Sequence, residues 1–258
     1  MKISIIGYSG FIGTYLVKNF SQNIEANRIN LRKYNIRKLN KKIIKKIFSS
    51  KIIINCAASL NPKSDDDFFL NENFLNYLLE LNEKYNRKII HLSSINVLIK
   101  ERLDVYSLTK KKSEKLTKKN KNLVIIRLPL MVVKKNNIIQ KKGNVSKLFN
   151  YLQKIMLPVY PMIYPGHLYQ PLDVLILKKK ILKLIYTKKK FQIINLYGDK
   201  KVSLWDIFSE IAKNENKKIM KINLTWIYRF MPKVFKKIIK KQNNFLQHMA
   251  SINHSKFK

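Results

Sequence analysis

Apolar and polar residues alternate in blocks along the first 130 positions, and these blocks predict strands and helices in regular succession. Continuous apolar runs of four to eight residues are typical of strands that are covered on both faces of a parallel sheet. Such runs predict strands at residues 2–6, 28–32, 51–58, 88–93 and 123–128. Stretches with apolar residues three and four positions apart predict helices at 11–20, 36–48, 65–85 and 106–119. The alternation predicts a doubly wound α/β fold.

The pattern is less regular after Pro129. Helices are expected at 145–155 and 174–186, and another helix, capped by Ser203, extends to about residue 212. A strand is expected at 191–196. The uncharged run 155–172 contains four prolines, which argues against a membrane-spanning helix and predicts an irregular segment that lines a pocket. The basic, amphipathic stretch 226–249 predicts a closing helix, which we favour over a helix on a membrane surface.

Three of the six glycines in the chain stand together at the end of the first predicted strand, at Gly7, Gly10 and Gly13. In a strand-turn-helix unit the first glycine permits a tight turn and the second lets a pyrophosphate approach the backbone. The third lets the helix pack closely on the strand, so that an anion meets free amides at the helix N-terminus. The spacing predicts an NAD(P)-binding Rossmann domain over residues 1–133. A smaller substrate-binding lobe is expected at 134–258, interleaved with the first domain around 170–187.

Composition is consistent with a folded protein, because 46% of the 258 residues are hydrophobic. There are 53 basic and 15 acidic residues, which gives a net charge of +38 and suits an anionic partner. The lysines punctuate amphipathic helices and no nucleic-acid-binding motif accompanies them, so no specific nucleic acid is expected. The single cysteine, Cys56, lies in an apolar run and no signal peptide is recognisable, so a cytoplasmic protein is predicted.

Candidate chemistry comes from Tyr106 and Lys110, which share one helix face at the spacing Y-x-x-x-K. The spacing alone means little in a chain so rich in lysine. Only this pair, however, begins a helix that follows a strand ending in two serines, Ser93 and Ser94. An ammonium about 6 Å from the phenol would lower its pKa by roughly two units and bring Tyr106 closer to the range of a general acid or base. Ser94 would then hold the reacting oxygen in reach of the phenol.

These residues resemble the extended short-chain dehydrogenases, the NAD-dependent epimerase/dehydratase group that acts on nucleotide sugars. The resemblance covers residues 1–130 with GYSGFIG, INCAA, HLSSINV, YSLTK and IIRLP, and includes Asn71 in LNENFLNYLL. It is weaker in QPLDV and INLYGDKKVSLWDIF. It implies a catalytic set of Ser94, Tyr106 and Lys110. It also implies an NAD or NADP site lined by Gly7, Gly10, Phe11, Ile12, Gly13, Ala57, Tyr106 and Lys110.

The sequence departs from this group in three places. The acidic residue that usually binds the adenosine ribose after the second strand is missing, and a basic residue such as Arg32 suits the 2′-phosphate of NADP. Only twelve positions separate Ser94 from Tyr106, so part of the usual substrate-site wall is absent. Ser94 is followed by Ile95 and Asn96, where sugar dehydratases carry Asp-Glu, so dehydration is not expected.

The sequence thus predicts an NAD(P)-dependent nucleotide-sugar epimerase or 4-keto-sugar reductase with Tyr106 as acid/base. One alternative is a non-catalytic Rossmann-type protein that senses a cofactor or serves assembly. A third is a basic protein that binds a membrane surface through its C-terminal helix. The sugar, the choice between epimerisation and reduction, and the formation of a homodimer stay open.

Overall fold

The structure is a computed structural model. It describes residues 1–20, 23–100, 102–117, 119–136, 138–140, 142–143, 145, 150, 159–162, 168–188, 190–216, 220–223, 230 and 232. The predicted helices at 145–155 and 226–249 lie largely outside the described residues. The chain divides into two compact units, one formed by Met1–Pro129 and Val174–Leu196 and the other by Leu130–Asp173 and Tyr197–Lys258. The substrate-binding role of residues 134–258 stays a prediction.

The first unit is built on a six-stranded sheet in which every neighbouring pair of strands is parallel. Its strands are β1 (Lys2–Ile6), β2 (Glu25–Ile29), β3 (Ile52–Asn55), β4 (Lys88–Ser94), β5 (Leu123–Leu128) and β6 (Gln192–Asn195). Their order across the sheet is β6-β5-β4-β3-β1-β2. The sheet order reverses direction at β1, as in doubly wound folds, and the predicted Rossmann-type fold is confirmed.

Six helices belong to this unit. They are α1 (Phe11–Asn19), α2 (Lys41–Phe48), α3 (Asp65–Glu72), α4 (Phe74–Tyr85), α5 (Val105–Leu116) and α6 (Val174–Tyr186). Helix α1 contacts α6, whereas α3 and α4 contact α5. Short 3₁₀ turns follow β2 and β4, at Leu31–Lys33 and Ile95–Leu98.

The second strand begins and ends three residues earlier than the pattern predicts. Its pairing with β1 runs from Lys2 opposite Glu25 to Ile6 opposite Ile29. Asn30 then ends the strand, because its side-chain oxygen accepts a hydrogen bond from the Arg32 amide at 3.1 Å and starts the 3₁₀ turn. The predicted strand 28–32 was therefore misplaced, and Arg32 lies in the turn.

Two predicted helices are also shorter than expected, because asparagines interrupt them. The Asn40 side chain accepts a hydrogen bond from the Ile43 amide and caps α2, so this helix starts at Lys41 and not at residue 36. The predicted helix 65–85 is divided at Asn73, where φ is −109°. Apolar periodicity continues across such sites and does not by itself locate a helix end.

The excess positive charge lies mainly on solvated helix faces. Helix α2 exposes Lys41, Lys42, Lys45 and Lys46 while it buries apolar residues against the sheet. Among the described residues, two lysines are buried, Lys88 and Lys110. Most of the lysines are therefore in contact with solvent and do not hold the fold together. The burial of Lys88 and Lys110 requires a separate explanation.

Lys88 opens β4 and ties α6 to it. Lys88 is only 3% exposed, and its ammonium donates to the carbonyl oxygen of Leu184, to the Thr187 carbonyl at 2.9 Å and to the Thr187 hydroxyl at 2.8 Å. These acceptors lie at the C-terminal end of α6, where the helix dipole favours a cation. Burial lowers the pKa of Lys88, but its three acceptors compensate the charged form.

The second unit contains short strand pairs and the helix α7 (Leu204–Asn214). Two strand pairs are parallel, namely Met131–Val132 with Leu172–Asp173 and Val159–Met162 with Met220–Asn223. Two pairs are antiparallel, namely Leu168–Tyr169 with Val202–Ser203 and Lys134–Lys135 with Ile138–Ile139. The predicted cap at Ser203 is confirmed, since Ser203 and Asp206 form a reciprocal capping box. In the part of the chain that the structure describes, no helix is long and apolar enough to cross a membrane.

The contacts of Lys88 predict that Lys88→Met destabilises the first unit. The substitution leaves the carbonyls at the end of α6 without their donor, and we expect the free energy of unfolding to fall by about 1–3 kcal/mol. Lys183→Met is the matched control because Lys183 lies on α6, the helix whose end Lys88 contacts, and is exposed. Urea denaturation of both variants measures the difference, and equal stability of the two would contradict this role of Lys88.

Candidate active site

The end of β1 is the most tightly packed backbone of the predicted site. Gly7 adopts φ +79°, and a Cβ there would lie 2.7 Å from the Ala57 amide nitrogen. A Cβ on Gly13 would lie 2.3 Å from the Gly7 carbonyl oxygen. Gly10 differs from both, because a Cβ there would meet only the Gly7 oxygen at 3.4 Å. Gly7 and Gly13 are therefore required by packing within the chain, whereas Gly10 is not.

Helix α1 begins at the open side of this turn. Gly10 occupies the N-cap position and provides no side-chain cap, and the first helical turn contains no acidic residue. The amides of Phe11, Ile12 and Gly13 are first-turn donors, which have no acceptor within the helix. Together with the helix dipole, they form a surface that favours an anion.

The end of β3 approaches the same turn and is held by a buried asparagine. Asn55 accepts a hydrogen bond from the Ala57 amide at 3.1 Å, and its side-chain amide lies 3.1 Å from His91 Nδ1 on β4. Ala57 is buried, as expected for a residue that the resemblance places against the dinucleotide. Cys56 between them is half-buried, and burial raises the pKa of its thiol to about 12, so the thiol is not a reactive nucleophile.

Asn71 connects the segment after β3 to helix α5. Its side chain accepts from the Ser59 amide at 2.9 Å and donates to the Ser59 carbonyl at 2.7 Å and to Thr109 Oγ1 at 3.2 Å. Thr109 in turn donates to the Tyr106 carbonyl at 2.8 Å. Asn71 therefore links the segment that carries Ala57 to the backbone of Tyr106. The resemblance included Asn71 without assigning a role to it.

The start of α5 is fixed by an ion pair. Asp104 caps the helix, since it accepts from the Ser107 amide at 3.0 Å and from the Ser107 hydroxyl at 2.7 Å. Arg102 Nε binds the same carboxylate at 2.6 Å, and both side chains are largely buried. Lys111 ties the preceding connection to α5 by donating to the carbonyls of Ile99, Lys100 and Arg102. The short connection between Ser94 and Tyr106 is thus pinned along its described residues.

Tyr106 and Lys110 lie together, as their spacing predicts. Lys110 Nζ is 6.0 Å from the centroid of the Tyr106 ring. The Lys110 side chain is completely buried, and its ammonium has no hydrogen-bond partner among the described residues. Burial lowers the pKa of Lys110 to about 8, and the Glu114 carboxylate partly opposes this shift.

The expectation that Lys110 lowers the pKa of Tyr106 is not met. Burial raises the pKa of the phenol to about 12, and the Asp104 carboxylate adds to this effect, while the Arg102 guanidinium partly opposes it. The expectation considered only the lysine and omitted the desolvation of the ring and the carboxylate two residues earlier. The Tyr106 side chain is therefore a protonated phenol near neutral pH.

The two serines at the end of β4 make different contacts. Ser93 donates its hydroxyl to Glu114 Oε1 at 2.5 Å, whereas Ser94 Oγ accepts a hydrogen bond from the Asn96 amide at 3.2 Å. Successive strand residues point to opposite faces of the sheet, so only one of the two can reach a given site. Ser93 is engaged with Glu114, and the role of Ser94 stays a prediction.

Arg32, the residue proposed for a 2′-phosphate, is exposed in the turn after β2. Glu25, the carboxylate that is close to Arg32 in sequence, lies at the opposite end of β2 and pairs with Lys2 at 3.2 Å.

A separate cleft of about 400 Å³ lies beside α5, and its lining includes Glu114, Arg127 and Phe191. None of the predicted site residues lines that cleft. No group of His, Cys, Asp and Glu suited to a metal occurs among the described residues.

The comparison with known proteins rests on structure alone, because no protein-family model and no curated protein matches the sequence. The chain is similar to a dTDP-4-dehydrorhamnose reductase from Clostridium acetobutylicum, with a TM-score of 0.68 and 20% identity over 86% of this chain and 84% of that one. It is also similar to the same enzyme from Bacillus anthracis in complex with NADP, with a TM-score of 0.69 and 17% identity over the same shares of the two chains.

A third similar structure is the ADP-L-glycero-D-manno-heptose-6-epimerase of Helicobacter pylori, with a TM-score of 0.65 and 16% identity over 86% of this chain and 85% of that one. Such low identities establish a common fold and leave the activity of this chain to be argued from its own residues. The protein has the Rossmann-type fold of these reductases and epimerases, as the resemblance to extended short-chain dehydrogenases predicts.

Proposed function

We propose that the protein is an extended short-chain dehydrogenase that uses NAD(P) to reduce or epimerise a nucleotide sugar in the cytoplasm, with Tyr106 as acid/base. The observation that supports this best is the buried Lys110 ammonium beside Tyr106, which lacks a hydrogen-bond partner among the described residues. A buried, unpaired cation is costly in a stable fold and is explained by a ligand that accepts its hydrogen bonds.

A nicotinamide dinucleotide fits the residues that are present. The glycine turn and the open amides of α1 would bind the pyrophosphate, and Ala57 would line the dinucleotide. Lys110 would donate to the hydroxyls of the nicotinamide ribose, and Arg32 would contact a 2′-phosphate if the cofactor is NADP. When bound, the nicotinamide would donate or accept a hydride.

The protonation state of Tyr106 supports ketone reduction more directly than epimerisation. A phenol with a pKa of about 12 holds its proton near neutral pH, so Tyr106 can donate it to a carbonyl oxygen as that oxygen becomes an alkoxide. Ser94 accepts its bond from Asn96 without using its own hydroxyl hydrogen, which can therefore bind the same oxygen.

The proposal is tested first by identifying the small molecules that the purified protein carries. Mass spectrometry of the released molecules, together with fluorescence titration of the protein with NADH and NADPH, is expected to reveal binding of one or both dinucleotides. Binding of NADPH in preference to NADH would support the contact of Arg32. A protein that carries neither dinucleotide and binds neither in titration would rule out the proposed function.

Gly10→Ala separates cofactor binding from folding. An alanine at this position has room within the chain, so we expect a loss of at most about 1 kcal/mol in stability, mainly from the poorer N-cap. Its methyl group would occupy the approach of the pyrophosphate, and the affinity for NAD(P)H should fall about tenfold or more. Isothermal titration and urea denaturation measure the two effects. Unchanged affinity would show that no pyrophosphate lies against Gly10.

Tyr106→Phe tests the acid/base role. Because general acid catalysis contributes about 10²- to 10⁴-fold, we expect kcat to fall by such a factor while NAD(P)H binding is retained. Tyr186→Phe is the matched control, since Tyr186 belongs to another Y-x-x-x-K pair and its side chain is 75% exposed. Steady-state assays use 4-keto-sugar nucleotides as substrates. Full turnover by Tyr106→Phe would exclude Tyr106 as the acid/base, whereas turnover that is lost in this variant would exclude the non-catalytic alternative.

A further inference from the structure

Glu114 lies one helical turn beyond Lys110 on α5 and belongs to a buried polar cluster. Its carboxylate accepts hydrogen bonds from Arg127 Nε at 2.9 Å and Nη2 at 2.5 Å and from the Ser93 hydroxyl at 2.5 Å. The side chains of Arg127 and Glu114 are only 16% and 10% exposed. A two-point contact between a guanidinium and a carboxylate is strong and directional. This cluster is not part of the predicted catalytic set.

The cluster is connected to the candidate site in two directions. Ser93 and Arg127 face each other in the register of β4 and β5, so Glu114 binds both strands at their carboxyl ends. Ser93 immediately precedes Ser94, the residue proposed to hold the reacting oxygen. Glu114 and Lys110 are four residues apart on one helix, which places their Cβ atoms about 5–6 Å apart.

Few charges face the Lys110 ammonium. On α5 the titratable groups are Glu114 and Tyr106, whose phenol is neutral. On β4 the titratable group is His91, whose pKa is lowered well below its usual range by burial and by the charge of Lys110. Arg127 on β5 lies beyond Glu114 and is paired with it. On α3, Asn71 is neutral, and Glu72 pairs with Lys112 at 2.5 Å. Among the described residues, Glu114 is thus the carboxylate that stabilises the positive charge of Lys110.

We propose that Glu114 is a positioning residue, whose carboxylate keeps Lys110 protonated and, through Ser93, holds the strand end that carries Ser94. The catalytic meaning of this arrangement rests on the proposed function, because a protonated Lys110 matters there as the donor to the cofactor ribose. The electrostatic coupling of Glu114 to Lys110 is a property of the folded chain and can be measured without a substrate.

A double-mutant cycle in unfolding free energy tests the coupling. The variants are Glu114→Gln, Lys110→Met and their combination, measured by urea denaturation from pH 6 to pH 10. In the folded protein Lys110 is charged below a pKa of about 8, so Glu114→Gln should be most damaging at low pH. Above pH 8 the Lys110 amine is neutral in the folded state of the wild type and of Glu114→Gln. The additional loss of unfolding free energy that depends on its charge should therefore disappear.

The expected size follows from linkage. Suppose that Glu114→Gln lowers the folded-state pKa of Lys110 by one unit. At a pH below the Lys110 pKa of both the wild type and the variant, the unfolding equilibrium constant then rises tenfold. In the Lys110→Met background the loss caused by Glu114→Gln should not depend on pH. An equal loss in both backgrounds at every pH would overturn the proposal and leave Glu114 with a merely structural role.

Glu114→Gln leaves Arg127 buried without its partner and could prevent folding. The cycle is therefore repeated with Arg127→Met present in every variant, which removes the unpaired cation. The same pH-dependent coupling is expected there, because Lys110 and Glu114 are both retained in the reference protein. Its absence in this background would also overturn the proposal.

Cofactor binding supplies an independent measurement. NADPH fluorescence titrations of the wild type should weaken as pH rises through the pKa of Lys110, and Glu114→Gln should move this weakening to lower pH by about one unit. Glu80→Gln, on the exposed face of α4, should leave the pH profile unchanged. An unshifted profile in Glu114→Gln would contradict the proposal. If the wild type binds neither NADH nor NADPH, the proposed function fails, and the cycle alone decides the coupling.

Discussion

The close approach of backbone segments at the end of β1 constrains the rest of the candidate site. Gly7 lies so close to Ala57, and Gly13 so close to the Gly7 carbonyl, that neither position has space for a Cβ. This contact fixes where α1 begins and brings the ends of β1 and β3 together. The first amides of α1 have no side-chain cap, an arrangement that favours an anion.

Side-chain bonds to the backbone fix the remaining segments of the site. Asn55, Asn71 and Lys111 each bind main-chain atoms of connections that have no regular structure. A single bond of this kind contributes only about 1 kcal/mol to stability, but it determines the path of a connection. The described residues between Ser94 and Tyr106 are held in this way by Lys111 and by the pair of Arg102 and Asp104.

The charge of the protein has two separate roles. Most lysines cover helix faces in contact with solvent, which explains how a net charge of +38 is compatible with an ordinary α/β core. The buried lysines are different. Lys88 is compensated by three oxygen acceptors at the end of α6, whereas the Lys110 ammonium has no such acceptor among the described residues. This contrast distinguishes Lys88, whose contacts explain its burial, from Lys110, whose contacts do not.

Local patterns in the sequence were sufficient for the sheet strands other than β2, the glycine turn, the cap at Ser203 and the Y-x-x-x-K helix. Each of these depends on residues that are near in sequence, so periodicity, capping and turn chemistry describe them well. The helix divided at Asn73 and the helix start at Lys41 were missed, because an apolar pattern passes through a polar cap without a visible break.

The sequence by itself determined the order of strand, phosphate turn and candidate catalytic helix. Only the tertiary structure decided the position of β2, which depends on its register with β1, and the different contacts of Ser93 and Ser94. It also decided that the pKa of Tyr106 rises and does not fall. Burial and the charges of Asp104 and Arg102 act on the Tyr106 phenol through space. Their combined effect on its pKa cannot be obtained from the spacing of one tyrosine and one lysine.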